Sequence, residues 1–207
     1  MIRLPSADAA AGRVPLVGRG LAAFVLLAGL LLALVESRAA ILRSGTEVRL
    51  ATAPVDPRDL FRGDYVVLSY KISTLDPAQL DGDKDFERNR TVYVRLAPGA
   101  DGLAEAKGVH LAQPAAQAGE TVIQGKVTST GTCIATDNGS MDCAAGRRAI
   151  RVMYGLESYL VPQGTGRAIE RTDRKRLEVV AAVSSSGQAA VKRLLIDGKL
   201  LHQEPPY

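Results

Sequence analysis

The chain has 207 residues, 46% apolar and 23% charged, which fits one ordinary domain plus a tail or an anchor and rules out wholesale disorder. Its 26 Lys and Arg against 22 Asp and Glu leave a net charge of +4, too weak to suggest nucleic acid. Six Tyr, three Phe and no Trp offer little for a base- or sugar-stacking platform, and two His with two Cys argue against a multi-ligand zinc site.

The first predicted element is helical. Leu21 to Val35 (LAAFVLLAGLLLALV) carries no charge; Arg19 precedes it and Glu36 follows. Fifteen residues span roughly 22 Å of helix, short of the roughly 30 Å hydrocarbon layer, but Gly20 and snorkelling of Arg19 and Arg38 make a workable crossing. An uncleaved anchor over 21–42 is the expected reading. A cleaved signal segment is the first alternative, with Ser37-Arg38-Ala39 supplying small residues around a cut. A buried core helix is the second, and the absence of a polar stripe over four turns argues against it. Arg3, Arg13 and Arg19 before the run balance Arg38, Arg43 and Arg49 after it. The α-amino charge, the adjacency of Arg19 and the short leading segment tip the expectation towards residues 1–20 in the cytoplasm and 43–207 outside.

The remainder reads as mainly β. Thr46/Glu47–Thr52, Tyr65–Ile72, Thr91–Leu96, Thr121–Val127, Ala149–Tyr154 and Leu177–Val183 all alternate apolar with polar. Val66, Leu68, Tyr70 and Ile72 should share one face of the second of these. Ser184–Gly187 predicts a hairpin joining Leu177–Val183 to Ala189–Ile196, and Asp197-Gly198 a second turn towards Leu200 and Leu201. Asp76–Leu80 starts with an Asp cap followed by Pro, the signal for one short turn or helix. The expected architecture is one N-terminal transmembrane helix followed by a single twisted sheet or partly closed, barrel-like β domain. Without residues 1–20 the balance is 23 basic to 21 acidic residues. The basic stretches 147–151 and 171–176 are able to touch anionic headgroups or an acidic partner, although a solvated face is the simpler reading.

Cys133 and Cys143, the only cysteines, flank Asp137-Asn138-Gly139, a good three-residue hairpin loop. Folding about that loop sets Thr136 opposite Ser140 and, counting outward, Cys133 opposite Cys143. A disulfide is expected, contributing roughly 2–3 kcal/mol and implying an oxidising compartment; two unlinked small residues are the alternative.

Residues 54–72 (PVDPRDLFRGDYVVLSYKI) read as a stiff loop closing into a strand. Asp56, Arg58, Asp59, Arg62 and Asp64 alternate in sign and can neutralise one another, a structural arrangement as reasonable as a functional one. Gly63–Tyr70 matches GDYxxLxY letter for letter. With the preceding PVDPRDLFR and the later YGLESYLVP run (Tyr154–Pro162) leading to Glu170, the chain resembles the GDYXXLXY proteins over nearly its whole length. Gln163 departs from the Glu expected after Val-Pro, so no role is assigned to a carboxylate there. The resemblance implies a membrane-anchored bacterial protein that acts beside a multi-span membrane protein; it supplies no activity, substrate or cofactor.

Tested chemistries mostly fail. Pro-x-x-Leu followed by Gly-Asp resembles the signal-peptidase active-site region, but no Ser lies upstream, Thr52 is the nearest hydroxyl, and Lys71 is out of phase with the apolar face. His110 and His202 have no Ser/Asp cluster near them in sequence. Asp81–Asp85 begins like a calcium loop, but Phe86 and Val92 stand where Gly and Glu are required, so no metal is expected. One constellation survives: Asp56, Asp59, Glu157, Glu170, Tyr65 and Tyr159, convergent if the two motif boxes meet. The candidate cluster is therefore Asp56, Arg58, Asp59, Arg62, Asp64, Tyr65, Tyr70, Glu157, Tyr159 and Glu170. The favoured reading is a non-enzymatic, extracytoplasmic accessory or binding module with no cofactor, partnered by the lipid bilayer and a multi-span membrane protein. The alternative is a hydrolase or ligand receptor using the Asp/Arg/Tyr cluster. A concave site would favour the second, and a mutually satisfied network the first.

Overall fold

The computed structural model describes residues 16–53, 65–132, 134–135, 141–142, 149–160 and 176–204. Backbone contacts divide the chain into two compact units, Met1–Ala40 and Ile41–Tyr207.

Helix α1 spans Leu16–Ser44, so it starts before Leu21 and ends after Leu42. Gly18, Arg19 and Gly20 do not break it, because helix propagation over so long an apolar run outweighs the modest cost of glycine. Its apolar residues are not confined to one stripe. Phe24, Val25, Leu26 and Leu27 are successive, hence point in four directions, and each is at least 56% exposed. The helix is long and apolar enough to cross a membrane. It stops at Gly45, whose amide donates to the Ile41 carbonyl at 2.9 Å. A Cβ at Gly45 would lie 2.5 Å from that carbonyl oxygen and 2.9 Å from the Val183 nitrogen.

The second unit is mainly β, a curled half-barrel. Its strands are β1 Thr46–Ala51, β2 Tyr65–Val67, β3 Thr74–Leu75, β4 Asp81–Gly82, β5 Thr91–Pro98, β6 Ala104–His110, β7 Thr121–Thr132, β8 Ile134–Ala135, β9 Met141–Asp142, β10 Ala149–Met153, β11 Ser158–Leu160, β12 Leu177–Val183, β13 Ala189–Ile196 and β14 Lys199–Gln203. One sheet has the order β1-β12-β13-β14, a second β3-β10-β7-β5-β6-β4, and β11-β2 and β8-β9 form separate pairs. All pairings are antiparallel except β4 with β6.

Period-2 patterning explains most of this. Val92, Val94 and Leu96 of β5 are buried, as alternation requires of a sheet with one face on the core. In β12, Val179–Val183 is buried on both faces, which suits the centre of a sheet and its unbroken VVAAV run. Turns follow their chemistry. Asp197 (φ +51°) and Gly198 (φ +74°) both adopt positive φ, the requirement of a two-residue type I′ hairpin. Gly187 sits at φ +86°, and its carbonyl accepts from the Gln124 amide at 2.8 Å, so the β12–β13 tip docks on β7. A Cβ there would stand 3.0 Å from the Gln124 nitrogen. Gly187→Ala is expected to cost about 1–3 kcal/mol through strain and crowding together, read as a lower melting temperature.

One predicted strand is not continuous. Tyr65–Ile72 forms strand only at Tyr65–Val67; Tyr70 then makes a single bridge to Thr52, and a 3-10 turn follows at Lys71–Ser73. Leu68, Tyr70 and Ile72 are buried as the alternation predicts. The ladder ends because Ser73 takes over the backbone of Tyr70, its amide donating to the Tyr70 carbonyl at 2.9 Å and its Oγ accepting from the Tyr70 amide at 3.3 Å. Asp76–Leu80 is a turn, with Ala78 N donating to Asp76 Oδ1 at 3.1 Å. The acidic run after it is structural: Asp81 pairs with Arg95 at 2.9 Å, and Asp83 Oδ2 accepts from the Leu111 amide at 2.8 Å.

Candidate functional site

The two motif boxes meet. β2 and β11 pair with Tyr65 opposite Leu160, Val66 opposite Tyr159 and Val67 opposite Ser158. The ladder extends by one bond, from the Leu68 amide to the Glu157 carbonyl at 2.7 Å. Beyond it the boxes exchange a pair of phenol-to-carbonyl hydrogen bonds. Tyr70 Oη donates to the Leu156 carbonyl at 2.7 Å, and Tyr154 Oη donates to the Ile72 carbonyl at 2.6 Å. Tyr70, Leu156 and Tyr154 are buried, so each bond satisfies a backbone acceptor that water does not reach.

Glycine and a carboxylate shape the loop between β10 and β11. Gly155 takes φ +76°, and Glu157 Oε1 accepts from the Tyr154 amide at 2.7 Å. Burial, and secondarily the Glu157 charge, pushes both the Tyr70 and Tyr154 phenols far above the ordinary tyrosine range. They remain neutral donors and are unsuited to act as bases near neutral pH. Tyr159, also buried, meets the His202 ring of β14 edge-on at 5.8 Å. Thr52 Oγ1 donates to the Leu177 carbonyl at 2.8 Å, so the hydroxyl nearest the nucleophile position of the signal-peptidase comparison is bound to backbone.

Of the candidate cluster, Tyr70, Glu157 and Tyr159 are thus brought to one place. Tyr65 is described only through its backbone, which pairs with Leu160. Asp56, Arg58, Asp59, Arg62, Asp64 and Glu170 lie outside the described residues, as do Cys133 and Cys143. The β8–β9 hairpin beside the cysteines has Ile134 opposite Asp142 and Ala135 opposite Met141, the register expected from the Asp137-Asn138-Gly139 turn. Tyr154 is the participant that sequence reasoning passed over. Its signal was present: it opens the second box as Tyr70 closes the first. His202 carried no comparable signal, because its partner is set only by the arrival of β14.

Chemically, the described part of this junction is a latch. The Tyr70 and Tyr154 phenols are committed to carbonyls, and one Glu157 oxygen is committed to an amide. Of three clefts lined by described residues, of about 570, 310 and 510 Å³, none is lined by Tyr70, Tyr154, Glu157 or Tyr159, and the 310 Å³ one touches the latch at Ile72. Among the described residues no group of three or more His, Cys, Asp or Glu is placed to hold a metal ion. Glu157→Ala should therefore lower stability, by about 1–2 kcal/mol for the lost acceptor, whereas Glu157→Gln, which keeps an oxygen in place, should retain most of it. Thermal unfolding of the two variants checks this. Activity lost without any change in melting would indicate a chemical role for the carboxylate instead.

Comparison with known proteins agrees with the motif. No curated protein and no solved structure matches the chain significantly. The family model described as "GDYXXLXY protein" matches residues 27–194, a range that runs from within α1 to within β13 and takes in both boxes. The latch joins the segments that carry that signature, and the chain belongs to the GDYXXLXY family.

Proposed function

We propose that this protein is a membrane-anchored accessory or binding module. In this reading α1 is an uncleaved anchor in a bacterial inner membrane, with residues 1–20 cytoplasmic, 21–42 in the bilayer and 43–207 periplasmic or extracellular. The β unit works beside a multi-span membrane protein. The observation that carries the proposal is the exposure of apolar residues in every direction around α1, a surface stable in lipid and costly in water. The committed hydrogen bonds of Tyr70, Tyr154 and Glu157 favour a module held in shape over the hydrolase or ligand-receptor alternative.

Alkaline carbonate extraction of membranes tests the anchor: the full-length protein should stay with the lipid, and release into the aqueous fraction would refute it. Purification in mild detergent should bring a multi-span membrane protein along in fixed ratio, and its repeated absence would remove the accessory role. The β8–β9 register, carried outward by one pair, supports a Cys133–Cys143 disulfide and hence an oxidising compartment. Thiol labelling of the denatured protein should modify neither cysteine before reduction and both after it. Labelling of both without reductant would reject the bridge.

A further inference from the structure

The connection from β6 to β7 is long, exposed and almost free of charge. Leu111–Gly119 (LAQPAAQAG) has no charged residue in a protein that is 23% charged. All of it is exposed except half-buried Pro114, and Leu111 is one of the few large apolar side chains exposed outside α1. Gln113 Nε2 donates to the Ser185 carbonyl at 2.7 Å, tying this connection to the β12–β13 tip, itself an uncharged Ser-Ser-Ser-Gly turn. Between them lies the 510 Å³ cleft, whose walls include Ser44, Thr46, Pro114, Ala116 and Val183. Its only charged lining residue, Glu120, has a side chain 14% exposed and faces Arg95 at 3.7 Å.

Ser44 is the last residue of α1. A hydrocarbon layer takes about 20 helical residues, and Leu21–Val35 supplies fifteen. The layer's edge therefore falls between Val35 and Ala40, according to how the shortfall is shared between the two ends. At 1.5 Å per residue this puts Ser44 roughly 6–14 Å beyond the edge, in the headgroup layer or about one helical turn above it. Covalent connectivity alone fixes that distance. An uncharged, partly apolar surface beside the exit of an anchor is what a zwitterionic headgroup layer accepts without desolvating an ion.

Resting on the anchored reading above, we infer that Leu111–Gly119 and the Ser184–Gly187 turn form a lipid-contact surface that seats the β unit on the bilayer. The occupant is the headgroup and upper acyl region of the leaflet into which α1 emerges. A protein partner covering the same surface is the competing outcome.

The absence of Trp makes the test direct. Full-length Ala116→Trp and Ala112→Trp variants each carry a single fluorophore in the connection. Thr130→Trp places one at an exposed site of β7, nine residues along the strand from Thr121 and so about 30 Å away. Each is reconstituted in phosphatidylcholine vesicles with and without lipid brominated near the top of the acyl chains. A116W and A112W should lose about half their emission to bromine, and T130W almost none, since interfacial contacts reach about 5–10 Å into the leaflet. Vesicles that float with protein but quench neither A116W nor A112W, or that quench T130W equally, overturn the surface while leaving the anchor standing. Protein that fails to float overturns both.

Discussion

Gly125→Ala is expected to destabilise the β unit by about 3 kcal/mol or more, the range for overpacking a close-packed core. Gly125 lies in β7 at the middle of the six-stranded sheet, opposite Val92 of β5. A Cβ there would fall inside the van der Waals envelope of Val152 Cγ1 and 3.0 Å from both the Met153 carbonyl oxygen and Tyr154 Cδ1. None of these can retreat cheaply. Val152 and Tyr154 are buried, and the carbonyl belongs to the β10 ladder, which is already irregular between Arg151 and Val152. For a chain of this size the loss corresponds to a fall of about 6–12 °C in melting temperature. Val152→Ala removes the worst contact, so the double variant should be more stable than the sum of the two single losses predicts, a coupling that a mutant cycle in mild detergent measures. Additive losses would mean that the glycine is tolerated for another reason. Crowding at Gly125 also reaches the latch, because Tyr154 is one of its two phenols.

The second large effect is alkaline. Tyr70 and Tyr154 titrate far above their ordinary value in the folded protein, chiefly through burial and then through the charge of Glu157. In the unfolded chain they ionise near pH 10. Below that pH both states hold the same phenolic protons and stability is unaffected. Above it the unfolded state releases two protons that the folded state retains, so stability falls with rising pH by about 2.7 kcal/mol per unit for the pair. Between pH 10 and 12 this amounts to about 5 kcal/mol, comparable with the whole stability of many domains. Denaturant melts at a series of pH values should show this slope. Tyrosinate absorbance should show that Tyr70 and Tyr154 ionise only together with unfolding, a component that Tyr70→Phe and Tyr154→Phe each reduce. Tyr70→Phe should halve the slope while costing about 1–2 kcal/mol at neutral pH, because the Leu156 carbonyl loses its donor. A stability profile flat to pH 12 would contradict the burial of both phenols.

Local chemistry accounts for how much of this was legible beforehand. β5 and β12 announce themselves through alternation and through a doubly buried apolar run, and the β12–β13–β14 turns through Gly187 and Asp197-Gly198. The apolar helix and the GDYxxLxY signature are equally plain. Residues 65–72 were legible only in part. Period 2 identified the buried side chains Leu68, Tyr70 and Ile72 but not the break in the ladder, which depends on Ser73 binding the backbone of Tyr70. β6 carries Gly108 and weak alternation, and it is held by its neighbours: Arg95 on β5 and Asp81 on β4 form an ion pair beside it. The meeting of the boxes was expected only as a condition. Residues 68 and 157 are far apart in sequence, and no local preference encodes their bond. Tyr154 escaped notice for the same reason, since its acceptor, the carbonyl of Ile72, is a backbone atom 82 residues away.

The pairing of β1 bears on how such a chain is made. Arg49 of β1 and Glu178 of β12 form an ion pair across 129 residues of sequence, and every residue of β1 lies opposite one of β12. The first strand to follow the helix must therefore wait, with an open edge, until the chain has been synthesised as far as Val183. The six-stranded sheet uses only segments from 74 to 153 and is able to assemble earlier, leaving β1 to be captured last by the incoming β12–β13 hairpin. Such long-range closure slows the final step and leaves an exposed edge available to chaperones or to misassembly in the meantime.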